Sequence, residues 1–88
     1  MFEEGDKEMT EGFRKEGVTY DIIAYLGKLG ERDSMGFQKE VNIVSWCDKP
    51  AKIDIRGWNE DHTVMRRGLT LSDEEAETLL GILKERYE

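Results

Sequence analysis

Two tryptophans and a few basic residues carry most of the chemistry in this sequence. Trp46 ends the stretch V-S-W, and Trp58 ends I-D-I-R-G-W, with Arg56 two positions before it. Lys52 precedes Arg56 on the same alternation, and Arg66 and Arg67 form a basic pair further on. An indole face stacks on an unpaired base for roughly 1–3 kcal/mol, whatever the base. Guanidinium and ammonium groups neutralise phosphates and release counterions. Tryptophan and arginine are also the favoured anchors of protein interfaces. On an exposed sheet they form purely structural cation–π pairs worth about 0.5–1 kcal/mol. The residue types alone leave all three roles open.

Other chemistry is poorly supplied. Cys47 and His62 are the elements of a nucleophile and its base, but nothing provides an orienting third group or an oxyanion hole. N-E-D-H, residues 59–62, offers carboxylates and an imidazole, yet adjacent residues do not all converge on one ion, and the default reading is a solvated loop. A single cysteine excludes both an intrachain disulfide and a cysteine zinc cluster. Gly27 and Gly30 are not followed by the G-K-[ST] of a phosphate loop. The expectation is a protein that is not an enzyme, with no cofactor, no metal and no small-molecule substrate.

The elements that must position the tryptophans follow from periodicity. Residues 18–30, V-T-Y-D-I-I-A-Y-L-G-K-L-G, are rich in β-branched and aromatic types, and the glycines favour a strand over a helix. Residues 37–46 read as a second strand, with Val41 and Ile43 pointing one way and Asn42, Val44 and Trp46 the other. Residues 51–58 are a third, with Ile53 and Ile55 opposed to Lys52, Asp54, Arg56 and Trp58. Residues 65–71 are a fourth, where Met65, Leu69 and Leu71 share a face opposite Arg66 and Thr70. Arg67 falls on the apolar side of that count, and an edge position or a bulge at Gly68 would free it.

Ser72 with Glu75 forms a capping box, so a helix runs from Asp73 to about Tyr87. Ala76, Leu79, Leu80, Leu83 and Tyr87 make its apolar stripe, which Ile82 widens. Gly81 costs about 1 kcal/mol against alanine in mid-helix and implies a close approach. The fold class expected is α+β: a four-stranded antiparallel sheet followed by one C-terminal helix, β-β-β-β-α, as a homodimer. Leu79, Gly81, Ile82 and Leu83 are the expected dimer contacts. If the face of Val41, Ile43, Ile53, Ile55, Leu69 and Leu71 packs on the helix, then the tryptophans and basic residues share an open face.

Size and charge set the bounds. Eighty-eight residues make one domain, and chains this short often gain stability by self-association. Residues 1–17 hold six acids against three bases and read as an acidic flexible tail. An alternative there is a short amphipathic helix using Phe2, Met9 and Phe13. Residues 18–88 are the folded domain. The net charge of -7 sits in the tail and the helix, while residues 18–71 hold eight acids and eight bases. Net charge therefore does not exclude a nucleic-acid partner. No apolar run approaches the roughly 20 residues of a membrane span. The acidic N-terminus is unlike a signal peptide, and a lone cysteine suits a reducing, cytoplasmic setting.

The ordered set V-S-W, I-D-I-R-x-W, a basic pair with glycine, and an acidic helix start resembles the bacterial YdbC proteins. These belong to the positive-cofactor-four family of single-stranded-DNA-binding coactivators. The resemblance covers residues 18–88. It implies the β-β-β-β-α fold, a homodimer built through helices and sheet edges, and binding of single-stranded DNA with little sequence preference, with RNA left open. Carried onto matching positions, Trp46 and Trp58 are the base stackers, and Arg56, Arg66 and Arg67 the phosphate contacts. Lys52 joins them by alternation. The acidic tail departs from the Ser/Lys-rich tail of eukaryotic members, which sets any coactivator role apart from the binding itself.

Overall fold

The computed structural model describes residues 18–88; the expectations for residues 1–17 lie outside this range. Four strands and a helix follow one another: β1 Tyr20–Lys28, β2 Gln38–Trp46, β3 Lys52–Trp58, β4 Leu69–Leu71 and α1 Asp73–Tyr87. The strands form one antiparallel sheet in the order β1-β2-β3-β4. The α+β fold expected from periodicity is the fold observed.

Each element has a local cause. The β2–β3 turn places Cys47 at φ 52° and Asp48 at φ 62°, with Lys49 N donating to Trp46 O at 2.9 Å. This is the type I′ geometry that matches strand twist. Between β1 and β2, Asp33 Oδ1 accepts from the backbone N–H of Met35 and Phe37 at 2.9 and 3.0 Å, and Gly36 takes φ 89°. The capping box forms as expected: Ser72 Oγ accepts from Glu75 N at 3.1 Å, and Ser72 N donates to Glu75 Oε1 at 2.9 Å.

The fourth strand is shorter than residues 65–71. Only Leu69–Leu71 are regular, although Met65 bridges to Trp58 and Arg66 N donates to Gly57 O at 2.9 Å. The break falls at Gly68, where a Cβ would collide with the Ile55 carbonyl oxygen and with Arg56 Cβ. The irregularity anticipated at this glycine is therefore present, and close backbone approach is its cause.

The faces alternate as the sequence pattern requires. Val41 pairs with Ile55, Ile43 with Ile53, Ile53 with Leu71 and Ile55 with Leu69. Which face is the interior is the reverse of expectation. Val44, Trp58, Asn42 and Asp54 are the largest fully buried side chains, with Glu40 and Met65 nearly so. The isoleucines of the apolar face are only half-buried. Two causes act together. The helix leaves the edge strand β4 through the single residue Ser72, approaches only β3 and β4, and buries none of its own residues. The sheet meanwhile curls toward its polar side. Trp58 pairs with Gln38 at the start of β2 while Trp46 ends that strand, a separation of about 26 Å along an extended strand. Their ring centroids nevertheless lie 6.5 Å apart. Two register shifts in β1, between Ile22 and Ala24 and between Tyr25 and Gly27, supply bulges that bend a sheet in this way.

Candidate nucleic-acid interface

The concave face is built around an aromatic cluster. The indoles of Trp46 and Trp58 are near-parallel, with 10° between their planes. The Tyr20 ring lies against both, at 5.5 and 5.3 Å, because Tyr20 is the β1 partner of Trp46. His62 completes the group at 5.4 Å from Trp58. It arrives from the 59–65 connection, which folds back over the sheet.

A polar network surrounds the rings. Asp54 is fully buried and is engaged twice: Arg56 Nε donates to its Oδ1 at 2.8 Å, and Trp46 Nε1 donates to its Oδ2 at 3.3 Å. The Arg56 guanidinium also lies 4.7 Å from the centre of the Trp46 ring. Glu40 Oε1 accepts from Asn42 Nδ2 at 3.1 Å and meets His62 Nε2 at 2.8 Å. A buried carboxylate survives only with such partners, and strand alternation supplies the nearest ones, since Arg56 stands two residues from Asp54 and Asn42 two from Glu40 on the same face. Two buried atoms of this face, Asn42 Oδ1 and Trp58 Nε1, have no hydrogen-bond partner among the described residues.

A second cluster forms at the β1–β2 connection. Arg66 pairs with Asp33 and lies 4.3 Å over the Phe37 ring. Arg32 Nη1 donates to Gly36 O at 2.7 Å and to Trp58 O at 3.1 Å, tying this loop to the end of β3. The Phe37 N–H first, then the Arg66 guanidinium, hold the Asp33 carboxyl below its ordinary value. In the 59–65 connection, Thr63 does the same to Asp61, its hydroxyl first.

The residues singled out from the sequence are thus divided. Trp58 is 0 % exposed, which corrects its assignment as an open stacking ring: the returning 59–65 segment and the curl of the sheet enclose it. Trp46 is half-buried. The Arg56 side chain is 12 % exposed and committed to Asp54, so it steadies Trp46 rather than standing free for a phosphate. Arg66 is half-buried and paired, and it lies over Phe37 and against the side of Gly57 that faces away from Trp58 and Arg56, which corrects its expected place beside the tryptophans. Lys52 and Arg67 are exposed, and among the described residues neither has a carboxylate partner. On the helix, Leu79 is half-buried, Ile82 and Leu83 are exposed, and a Cβ at Gly81 would meet nothing within 4 Å.

Sequence reasoning missed Tyr20, Glu40 and Arg32, and it placed His62 in a solvated loop. Tyr20 had a readable signal, an aromatic in a strand expected to pair with the one ending in Trp46. His62 had none, because its role depends on a left-handed backbone, φ 60°, and on a partner twenty-two residues away. Cys47 lies exposed in its turn, and the His62 Nε2 that a nucleophile would need is engaged by Glu40. Among the described residues no three His, Cys, Asp or Glu side chains are arranged to hold a metal, and no helix is long and apolar enough to cross a membrane.

No family model matches this chain. Among curated proteins, an uncharacterized protein of Treponema pallidum (strain Nichols) is 30% identical over 77 residues, which cover 88% of this chain and 89% of that protein. The chain belongs to the family of that protein. A match of that length does not fit in the chain without spanning all four strands, so the sheet and its aromatic cluster lie within the shared region.

Proposed function

We propose that this chain is a non-enzymatic, homodimeric single-stranded nucleic-acid-binding protein of the positive-cofactor-four type, acting through the concave face of its sheet and favouring DNA. One observation carries the reading. The two separate motifs behind the family resemblance, V-S-W and I-D-I-R-x-W, meet in space: Arg56 lies over Trp46, and Trp46 stacks on Trp58. In this reading the half-buried Trp46 meets a base, Lys52 and Arg67 take phosphates, and Arg66 over Phe37, on the other side of the sheet, is a second site of combined charge and ring. Trp58 and Arg56 hold Trp46 in place. The exposed apolar residues Leu69, Leu80, Ile82, Leu83 and Tyr87 support self-association through α1, since contiguous apolar surface marks interaction sites.

Titration of a labelled oligo-dT at two ionic strengths tests this. Affinity falls with salt, with a log–log slope near 0.7 per phosphate contacted. Absence of binding at low salt removes the proposal. Sedimentation at micromolar concentration tests the dimer separately, and a 10.2 kDa particle counts against it.

A second reading has its own support. Ile23, Tyr25, Leu26, Leu29 and Met35 are all exposed on the edge strand β1 and the connection after it. This apolar row favours a protein-binding adaptor, whose binding would be nearly insensitive to salt.

A further inference from the structure

The segment that encloses Trp58 is anchored at its end by Met65, which bridges to Trp58 and is buried, while its tip, residues 60–63, is tied down at one residue. Its interior is stiff. Asn59 Oδ1 accepts from the backbone N–H of Thr63 and Val64, both at 2.9 Å; Asn59 Nδ2 donates to Asp61 Oδ1 and Thr63 Oγ1 at 2.9 and 3.0 Å; and Thr63 Oγ1 donates to Asp61 Oδ1 at 2.6 Å. At its base Asn59 N donates to Val64 O at 3.1 Å. Beyond the Met65 anchor, whose Sδ accepts from Arg56 Nη1 at 3.7 Å, the ties of the tip to the rest of the sheet meet at His62: Nε2 at 2.8 Å from Glu40 Oε1, and the carbonyl oxygen accepting from the Tyr20 hydroxyl at 2.6 Å. The His62 ring then sits against Trp58.

The closed arrangement also carries local penalties. His62 holds a left-handed backbone, φ 60°, which a side chain other than glycine adopts at a cost. The Trp58 Nε1 donor is buried without a partner among the described residues, another unfavourable state. Opening the segment relieves both. Glu60 and Asp61 stand exposed in it and repel a phosphate chain while it is shut.

We propose that residues 60–63 form a latch over Trp58, and that a single-stranded nucleic acid gains this second indole by releasing His62 from Glu40 and Tyr20. The proposal rests on the nucleic-acid reading above and adds a regulatory step to the same face. Free chain is mostly latched, with only Trp46 partly exposed. Bound chain has the 60–63 tip swung aside, a base on Trp58, and the indole N–H facing water or a nucleotide acceptor. The fraction of open chain sets the apparent affinity, so weakening the latch tightens binding.

The experiment uses the full chain with Trp46→Phe, so that indole emission reports Trp58 alone. Acrylamide quenching is measured with and without saturating oligo-dT, and binding is followed independently by anisotropy of the labelled oligonucleotide. Tyr20→Phe removes one tie while keeping its ring, Glu40→Gln weakens the other, and His62→Ala removes the imidazole; circular dichroism checks that each variant folds. Expected is a shielded Trp58 in the free chain, easier quenching in the unliganded variants, loss of His62 shielding when oligonucleotide binds, and roughly three- to tenfold tighter binding by Tyr20→Phe or Glu40→Gln. The latch is overturned if the oligonucleotide binds but Trp58 emission is unchanged at saturation, or if neither variant gains affinity. Failure of every variant and the parent to bind oligo-dT removes the nucleic-acid reading instead, while the unliganded quenching still reports whether His62 shields the ring.

Discussion

Trp46 and Trp58 stand at opposite ends of the β2–β3 ladder, yet their indoles stack with centroids 6.5 Å apart and planes inclined by 10°. The curl that brings them together makes the polar side of the sheet its interior. It also separates their roles. Trp58 is enclosed and holds the curl, while Trp46 is only half-buried.

That division predicts unequal effects of truncation. Trp58→Ala removes a fully buried ring and destabilises the chain by about 3–5 kcal/mol. Trp46→Ala costs less, under about 2 kcal/mol, and its main effect is loss of oligonucleotide affinity. Urea unfolding midpoints and an oligo-dT titration on both variants measure the contrast.

Lys52 and Arg67 are exposed and have no carboxylate partner among the described residues. Lys52→Glu and Arg67→Glu therefore leave stability within about 0.5 kcal/mol. Each weakens oligonucleotide binding and lowers the salt slope by about 0.7. Salt titrations of the single variants and of the pair check this.

Asp33 adds a small pH-dependent contribution to the fold, since its pair with Arg66 is exposed. Its carboxyl is held below the ordinary value of 3.8 by the Phe37 N–H and then by Arg66. A group depressed in this sense stabilises the fold above its ordinary value, and the contribution is lost as pH falls through the lowered one. Asp33→Asn should therefore lower the urea midpoint near neutrality. The gap to the parent should close in strong acid, where both side chains are uncharged. Unfolding curves across that range show whether it does.

Two glycines should respond in opposite ways to alanine. Gly68→Ala forces a Cβ into the Ile55 carbonyl oxygen and Arg56 and costs about 1–3 kcal/mol, the range of an overpacked site. Gly81→Ala meets nothing within the chain, so it stabilises α1 by about 1 kcal/mol. If α1 packs against a second copy, the same change weakens the dimer. Thermal unfolding of dilute protein and sedimentation of concentrated protein read the two effects apart.

Much of this architecture was legible in residue order. The five elements, the shared face of Val41, Ile43, Ile53 and Ile55, the Ser72–Glu75 cap and the irregularity at Gly68 all follow from local rules, and local rules are what a single sequence displays. The side of the sheet that turns inward was not legible. Alternation shows that Asn42, Asp54 and Trp58 lie together, but not whether water reaches them. Hydropathy favours the isoleucines as the interior, and it is outweighed here by bulges in β1, by the Trp46 indole that donates to Asp54 from the neighbouring strand, and by a histidine that reaches Glu40 across the fold. Those are long-range relations, and no window of the sequence contains them.

An interior held by Glu40, Asn42 and Asp54 inverts the usual map of mutational tolerance. Aliphatic centres accept many exchanges of similar volume, but a carboxylate shared between an indole and a guanidinium accepts almost none, because each replacement orphans two neighbours. As related chains drift apart, the greasy side of this sheet is where they are free to vary, and the acidic heart is where they must stay alike.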